Sequence, residues 1–270
     1  MLTRAQLDEY DRAGYVLVPD ALSSGAIDRL DAALPALFDE ESPRRVLEVD
    51  GATVRSVYGC HQTHELFRNL VSHRALLEPA MQLVGSDVYV YQLKVNAKRA
   101  RSGDVWAWHQ DLIYWINEDG LPGADIVNVA LFLDDCSADN GAMQVIPGSH
   151  RLGVLEAAPR EARDAYEGQP EWIVDLIAAI KYSIDDRTIA RLVGRHGVLP
   201  VEGARGSLLV FHPNLVHASP RNRSPFDRKV MVATYNSTAN RPRPPGAPRP
   251  EFLVSRDFTA LRAVDDPRLA

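Results

Sequence analysis

Apolar residues recur at helical spacing over most of the first 85 positions, and from residue 88 the period shortens to two. Thr3-Arg4-Ala5-Gln6 is a capping-box pattern. It predicts a short helix that stops at Gly14, ahead of an extended Tyr15-Val16-Leu17-Val18. A second helix is expected from Ser23 or Ser24 to about Phe38, and an amphipathic one over residues 76–84, ended by Gly85. Residues 88 to about 133 read as strands. Alternation places Gln92, Lys94, Asn96 and Lys98 on one face and Tyr91, Leu93, Val95 and Ala97 on the other. A polar face of this kind belongs either to a solvent-exposed edge strand or to the inner wall of a polar barrel cavity.

Residues 125–134 form another Val- and Leu-rich strand, followed by the turn signal Asp139-Asn140-Gly141. Residues 155–200 break this rhythm: Trp172, Ile173, Leu176, Ile177 and Ile180 recur at helical spacing, and residues 186–193 read as a short helix ending at Gly194. This is expected to be a helical insertion, either covering a site or simply packing as a helix pair. Strands resume at residues 207–211 and 229–236, and the five prolines of residues 241–250 predict an extended arm. The order of elements, with no internal repeat, predicts a mainly β jelly roll with N-terminal helical support, in one domain over residues 1–270.

Composition narrows the function. Thirty Lys+Arg against 36 Asp+Glu leave a net charge of −6, so no long-range positive field draws in phosphate backbones and nucleic acid is excluded as an expected partner. A chain of 270 residues needs no metal or disulfide to stay folded, so a metal site here is expected to be catalytic. Cys60 and Cys136, with no CxxC, exclude a disulfide framework and a Cys-rich zinc site. Residues 1–20 hold no apolar leader and no later run reaches 18 apolar residues, so a cytoplasmic protein without a membrane span is expected.

The chemistry concentrates around Trp106-Ala107-Trp108-His109-Gln110-Asp111. On a strand His109 and Asp111 would project from one face, within reach of one cation, and His217 is the candidate third ligand. Two histidines and a carboxylate leave the opposite positions open, as non-haem Fe(II) oxygen chemistry requires; a zinc hydrolase could use the same set. Arg228, eleven residues after His217, alternates in phase with Val230, Val232 and Thr234, and offers a carboxylate a planar fork. That favours an oxoacid cosubstrate and therefore iron.

His109-Gln110-Asp111, His217 and Arg228, with Ile146-Pro147-Gly148-Ser149-His150 between them, resemble the phytanoyl-CoA dioxygenase superfamily of Fe(II)/2-oxoglutarate oxygenases. The chain looks most like the branch containing ectoine hydroxylase and the hydroxylases of free L-proline and L-leucine. The resemblance also covers the segment from Tyr89 to Lys98, Glu118-Asp119-Gly120-Leu121-Pro122 and Arg249-Pro250-Glu251-Phe252. It implies a double-stranded β-helix, iron held by His109, Asp111 and His217, and 2-oxoglutarate held by Lys98, Ser219 and Arg228, with Arg228 on the distal carboxylate. Gln92 and Trp115 match positions facing the substrate; Asn96 and Asn128 are further substrate-side candidates. Family halogenases lack the carboxylate ligand, so Asp111 favours hydroxylation with O2, succinate and CO2.

Leu112-Ile113-Tyr114-Trp115 departs from the Phe-Glu-Thr-Trp of ectoine enzymes, which places a free amino acid such as leucine or proline first. Ectoine, or a larger amino-acid intermediate of secondary metabolism, comes second, and a non-catalytic jelly-roll binding protein remains the alternative of another class. His61, His64, His73, His150, His196 and His212 have no spacing that competes with the three ligands, and His212 is expected outside the cavity.

Overall fold

The computed structural model describes residues 1–157, 172–174 and 181–269. Helix α1 (Arg4–Ala13) begins with both bonds of the Thr3/Gln6 capping box in place and closes at Gly14. Strand β1 (Tyr15–Val18) follows, then α2 (Ser24–Asp39), capped by the Ser23 hydroxyl. Next come β2 (Arg45–Leu47), β3 (Val54–Tyr58), the short helices α3 (Cys60–Thr63) and α4 (Glu65–Val71), and α5 (Arg74–Val84), which ends at Gly85 as expected. The pattern predicts none of β2, β3, α3 and α4, which are too short to establish a period.

The β-rich region contains β4 (Val88–Lys98), β5 (Trp106–His109), β6 (Ile126–Phe132) and β7 (Gln144–Val145). Helix α6 (Asp111–Asp119) interrupts it where the pattern reads strand. Its residues 111–115 are all buried, so no polar face marks a helical period. Helix α7 (Asp186–His196) runs two residues past the expected stop at Gly194 and is capped at Gly197. A glycine inside a helix costs only about 1 kcal/mol, too little to end it. Then follow β8 (Leu199–Pro200), β9 (Leu208–Phe211), β10 (His217–Ser219) and β11 (Arg228–Ser237). Trp172 and Ile173 are helical, while Leu176, Ile177 and Ile180 lie outside the described residues. Residues 241–250 form no strand, as their prolines dictate.

Two sheets make the jelly roll: a seven-stranded one in the order β1-β9-β6-β11-β4-β3-β2 and a four-stranded one, β5-β10-β7-β8. Every strand pairing in them is antiparallel. β4 lies between β11 and β3, which overturns the edge-strand alternative. One face of the larger sheet, including Leu93, Val95, Leu131, Val210 and Met231, packs in one core with Ile27, Leu30 and Leu34 of α2, Phe67 and Leu70 of α4, and Leu76 and Leu77 of α5. Each such buried side chain contributes about 2 kcal/mol. The opposite face meets β5 and β10 around a cavity.

The expected face assignment fails at one residue. Thr234 pairs with Gln92 and Tyr235 with Val90, so Tyr91 is the extra residue of a bulge. It therefore turns away from Leu93 and packs with Trp115 and Leu112, on the cavity side. Among the described residues no helix is long and apolar enough to cross a membrane.

Candidate active site

His109 and His217 face each other as register partners of the β5–β10 ladder, with ring centroids 4.1 Å apart. Asp111 is not on that strand, as the sequence pattern implies, but opens α6 two residues past its end, after Gln110. There the helix N-terminus favours its negative charge. Asp111 Oδ1 lies 3.6 Å from His109 Nε2, and its Oδ2 lies 4.0 Å from His217 Nε2. One ligand atom from each of the three residues falls within 4.8 Å of the others.

Backbone carbonyls orient both rings. His109 Nδ1 sits 2.7 Å from the Ala107 carbonyl and His217 Nδ1 2.9 Å from that of Leu215. A carbonyl only accepts, so each Nδ1 carries the hydrogen and each Nε2 presents its lone pair to the centre. Burial, reinforced by His109, pushes the His217 pKa down to about 4, keeping that lone pair free at neutral pH. Burial alone would raise the Asp111 pKa, but the neighbouring His109 and His217 rings and the Lys94 charge hold it well below the usual carboxylate range.

Asn128, expected to face the substrate, instead stands behind this carboxylate. Its Nδ2 donates to Asp111 Oδ2 at 2.8 Å, and its Oδ1 accepts from Thr234 Oγ1 at 2.7 Å. Both ends of the amide are thereby used.

Arg228, Val230 and Val232 line the cavity in the phase predicted from the sequence. The Arg228 guanidinium is buried; one Nη donates to the Gly141 carbonyl at 3.0 Å and to Ser219 Oγ at 3.1 Å, and Nε has no hydrogen-bond partner. Among the described residues no carboxylate pairs with it. Ser219 also lines the cavity. Gly141, from the predicted turn, has φ +81°, and a Cβ there would collide with the Pro220 carbonyl, so only glycine brings this acceptor so close. Lys98 departs from expectation. It does not line the cavity; its ammonium donates to the carbonyls of Ser219, at 3.0 Å, and Pro220. Burial, and then the neighbouring Arg228 charge, push its pKa down to about 6.

Gln92, Asn96 and Trp115 all line the cavity, with Tyr58, Trp106, Tyr114 and Phe211 as its aromatic wall. Gln92 Nε2 donates to the Leu253 carbonyl at 2.8 Å, which leaves its oxygen as an acceptor toward the cavity, and Asn96 Oδ1 accepts from Ser56. Two charged lining residues escape the sequence reading. Lys94 shares the Gln92 face, a signal present in the alternation. Arg249 arrives from the proline-rich arm, carried only by the Arg249-Pro250-Glu251-Phe252 segment.

His212 is not among the lining residues and stacks near His150, with centroids 5.2 Å apart. Its Nδ1 accepts from the Asn214 amide at 3.0 Å, and burial pushes its pKa down to about 4. The unfolded chain therefore takes up a proton near pH 6.5 that the folded state refuses until about 4, so stability falls as pH drops through that window. The melting temperature is expected to fall by several degrees between pH 7 and 4.5. His212→Asn, which keeps an acceptor without a titrating ring, should make that slope shallower, with His61 and His217, whose pKa values burial also pushes down, keeping the rest; an unchanged slope would remove His212 as a source of it.

Comparison with known proteins agrees with this geometry. The chain is 40% identical to L-proline trans-4-hydroxylase of Streptomyces griseoviridis, over 96% of this chain and 95% of the relative. It is 33% identical to ectoine dioxygenase of Nocardia farcinica, over 95% and 86%. The crystal structure of EctD from S. alaskensis with 2-oxoglutarate and 5-hydroxyectoine superposes with a TM-score of 0.83 at 28% identity, covering 99% of this chain and 89% of that one. The model of the phytanoyl-CoA dioxygenase (PhyH) family matches residues 10–230, which span every strand from β1 to β10, and the chain belongs to that family.

Proposed function

We propose that this chain, a 2-oxoglutarate-dependent non-haem iron dioxygenase, hydroxylates an aliphatic C–H bond of a free amino acid of the proline or leucine type, as one domain over residues 1–270. One observation carries the reading. Two separate arginines, the buried Arg228 of β11 and Arg249 of the arm, whose side chain is 10% exposed, line the cavity that also holds His109, Asp111 and His217, and each keeps a guanidinium nitrogen without a partner. Two cations suit two carboxylates, one on the cosubstrate and one on the substrate. The proline hydroxylase relative and the ectoine dioxygenases support this class.

The donor set fits iron: two imidazoles and one carboxylate converge from β5, β10 and the start of α6, with their remaining polar atoms already bonded. His109, Asp111 and His217 would hold the ion. Bound with 2-oxoglutarate, iron supplies the activation of dioxygen that puts one oxygen atom into a C–H bond and leaves succinate and CO2. The remaining work belongs to the chain. Arg228 and Ser219 take the distal carboxylate of 2-oxoglutarate, and Lys98 steadies that end by binding the Ser219 and Pro220 carbonyls. On the substrate side, Arg249 meets the carboxylate, the Gln92 oxygen accepts from the ammonium, and Trp115 with Asn96 borders the aliphatic part. The aromatic wall excludes water and fixes which carbon approaches the centre.

Ectoine is the second reading, favoured by the superposition on EctD with its hydroxylated product. The test is a mass-spectrometric screen of L-proline, L-leucine, other free amino acids and ectoine with Fe(II), 2-oxoglutarate and oxygen, scoring succinate and the added oxygen atom. An amino-acid hit is expected. Succinate without any oxygenated substrate would overturn the substrate class, and no succinate from iron-loaded protein would overturn the reaction. Arg249→Gln should raise KM for the amino acid by roughly tenfold to a hundredfold, the worth of a hydrogen bond between charged groups, and leave KM for 2-oxoglutarate in place.

A further inference from the structure

Arg249 reaches the cavity from a segment with no regular structure, and a free arginine side chain would sample many rotamers. Three contacts stop it. Asp119, the last residue of α6, receives Nε at 2.7 Å and one Nη at 2.6 Å, so one edge of the fork is filled. The guanidinium carbon lies 4.6 Å from the centre of the Tyr114 ring, which covers one face. Only Nη1 is left without a partner.

Asp119 is itself seated. Its side chain is 2% exposed, and the Tyr91 hydroxyl donates to the same oxygen that accepts from the Arg249 Nη. Burial, and then the Asp119 charge, hold the Tyr91 pKa far above its ordinary value, so the phenol stays a donor. Tyr91 reaches Asp119 because the β4 bulge turns it to the cavity side, where its ring also packs edge-on against Trp115, centroids 5.3 Å apart. The arm docks at the same point. Gly120 has φ +64°, its carbonyl accepts from the Arg243 amide at 3.0 Å, and a Cβ there would run into the Arg243 carbonyl.

Resting on the reading of Arg249 as the substrate's carboxylate anchor, we propose that Asp119, seated by Tyr91, is a positioning residue that orients Arg249 and thereby sets recognition of a free carboxylate on the substrate. It touches neither substrate nor metal ligands. Its effect is to hold the fork edge-on, so that a carboxylate meets one prepared donor in place of a mobile cation. A substrate held loosely would let 2-oxoglutarate be consumed without hydroxylation.

The experiment measures Asp119→Asn, Arg249→Gln, the double variant and Tyr91→Phe in the iron-loaded enzyme, with L-proline as the probe. Asp119→Asn is expected to raise KM for L-proline roughly tenfold or more, with KM for 2-oxoglutarate unchanged and more than one succinate formed per hydroxyproline. Added to Arg249→Gln, it should change nothing further, because its route runs through that side chain. Tyr91→Phe, which removes only a hydroxyl, should shift the same two readouts in the same direction by less. Effects of Asp119→Asn and Arg249→Gln that multiply in the double variant would overturn the proposal. So would a parallel rise in both KM values and fall in melting temperature in Tyr91→Phe and Asp119→Asn, the mark of a merely structural role. If Arg249→Gln raises KM for L-proline and Asp119→Asn does not, the positioning role alone fails. If wild-type enzyme leaves L-proline unoxidised, or Arg249→Gln leaves its KM unmoved, the reading of the substrate site fails first and this inference with it.

Discussion

Arg228→Met is expected to abolish stabilisation by 2-oxoglutarate and, at the same time, to raise the melting temperature of the protein without it. Arg228 is buried, and no carboxylate pairs with it among the described residues; its Nε has no partner. A charge in that position costs several kcal/mol of desolvation that its bonds to Gly141 and Ser219 only partly offset. Burial lowers its pKa, the same cost seen as proton affinity. Methionine fills the channel with a flexible apolar chain, and the Gly141 carbonyl still accepts from Ser219 Oγ at 2.7 Å, so little is left unbonded. A gain of about 1–3 kcal/mol is expected, or several degrees. The lost fork should raise KM for 2-oxoglutarate roughly a hundredfold or more, since each charged hydrogen bond is worth about 1.5–3 kcal/mol. Thermal shift with iron and 2-oxoglutarate under nitrogen reads both effects. If 2-oxoglutarate stabilises the variant as well as wild type, the distal carboxylate is held elsewhere, and Lys94 or Lys98 becomes the candidate.

The second large effect is expected at Asp111. Asparagine has nearly the same shape but no charge, and an amide is a poor ligand for iron. In the metal-free protein the exchange is tolerated: the amide oxygen still accepts from Asn128 Nδ2, and the amide nitrogen faces His109 Nε2, an acceptor in the tautomer fixed by Ala107. Asp111→Asn should therefore melt within a few degrees of wild type, yet retain little iron by elemental analysis and lose turnover by at least about a hundredfold. Partners outside the ligand shell alone cost that much in metal sites. Iron content and turnover near wild type would exclude Asp111 as a ligand.

Much of this was legible without coordinates. The Thr3 capping box, the Gly14 and Gly85 stops, the Gly141 turn and the strand phase of Arg228 with Val230 and Val232 depend on residues close together in the chain, and all appear where expected. Gln92, Asn96 and Trp115 line the cavity. Local signals failed where burial erased them. Leu112-Ile113-Tyr114-Trp115 is covered on every side, so a helix read as strand, and Asp111 reaches His109 from a helix start and not from a shared strand face.

The sequence by itself pointed to the fold class through its periodicity, a property of neighbours along the chain, and to the metal ligands and the oxygenase family through the resemblance of its short motifs. Only the tertiary structure decided what each polar group is used for. Asn128 serves Asp111 and not the cavity, Lys98 serves two carbonyls, a bulge against β11 turns Tyr91 toward Asp119, and Arg249 enters from 130 residues beyond Asp119. Each of these roles is set by which distant strand, turn or arm supplies the partner, and a buried polar group takes whatever partner the packing brings within about 3 Å.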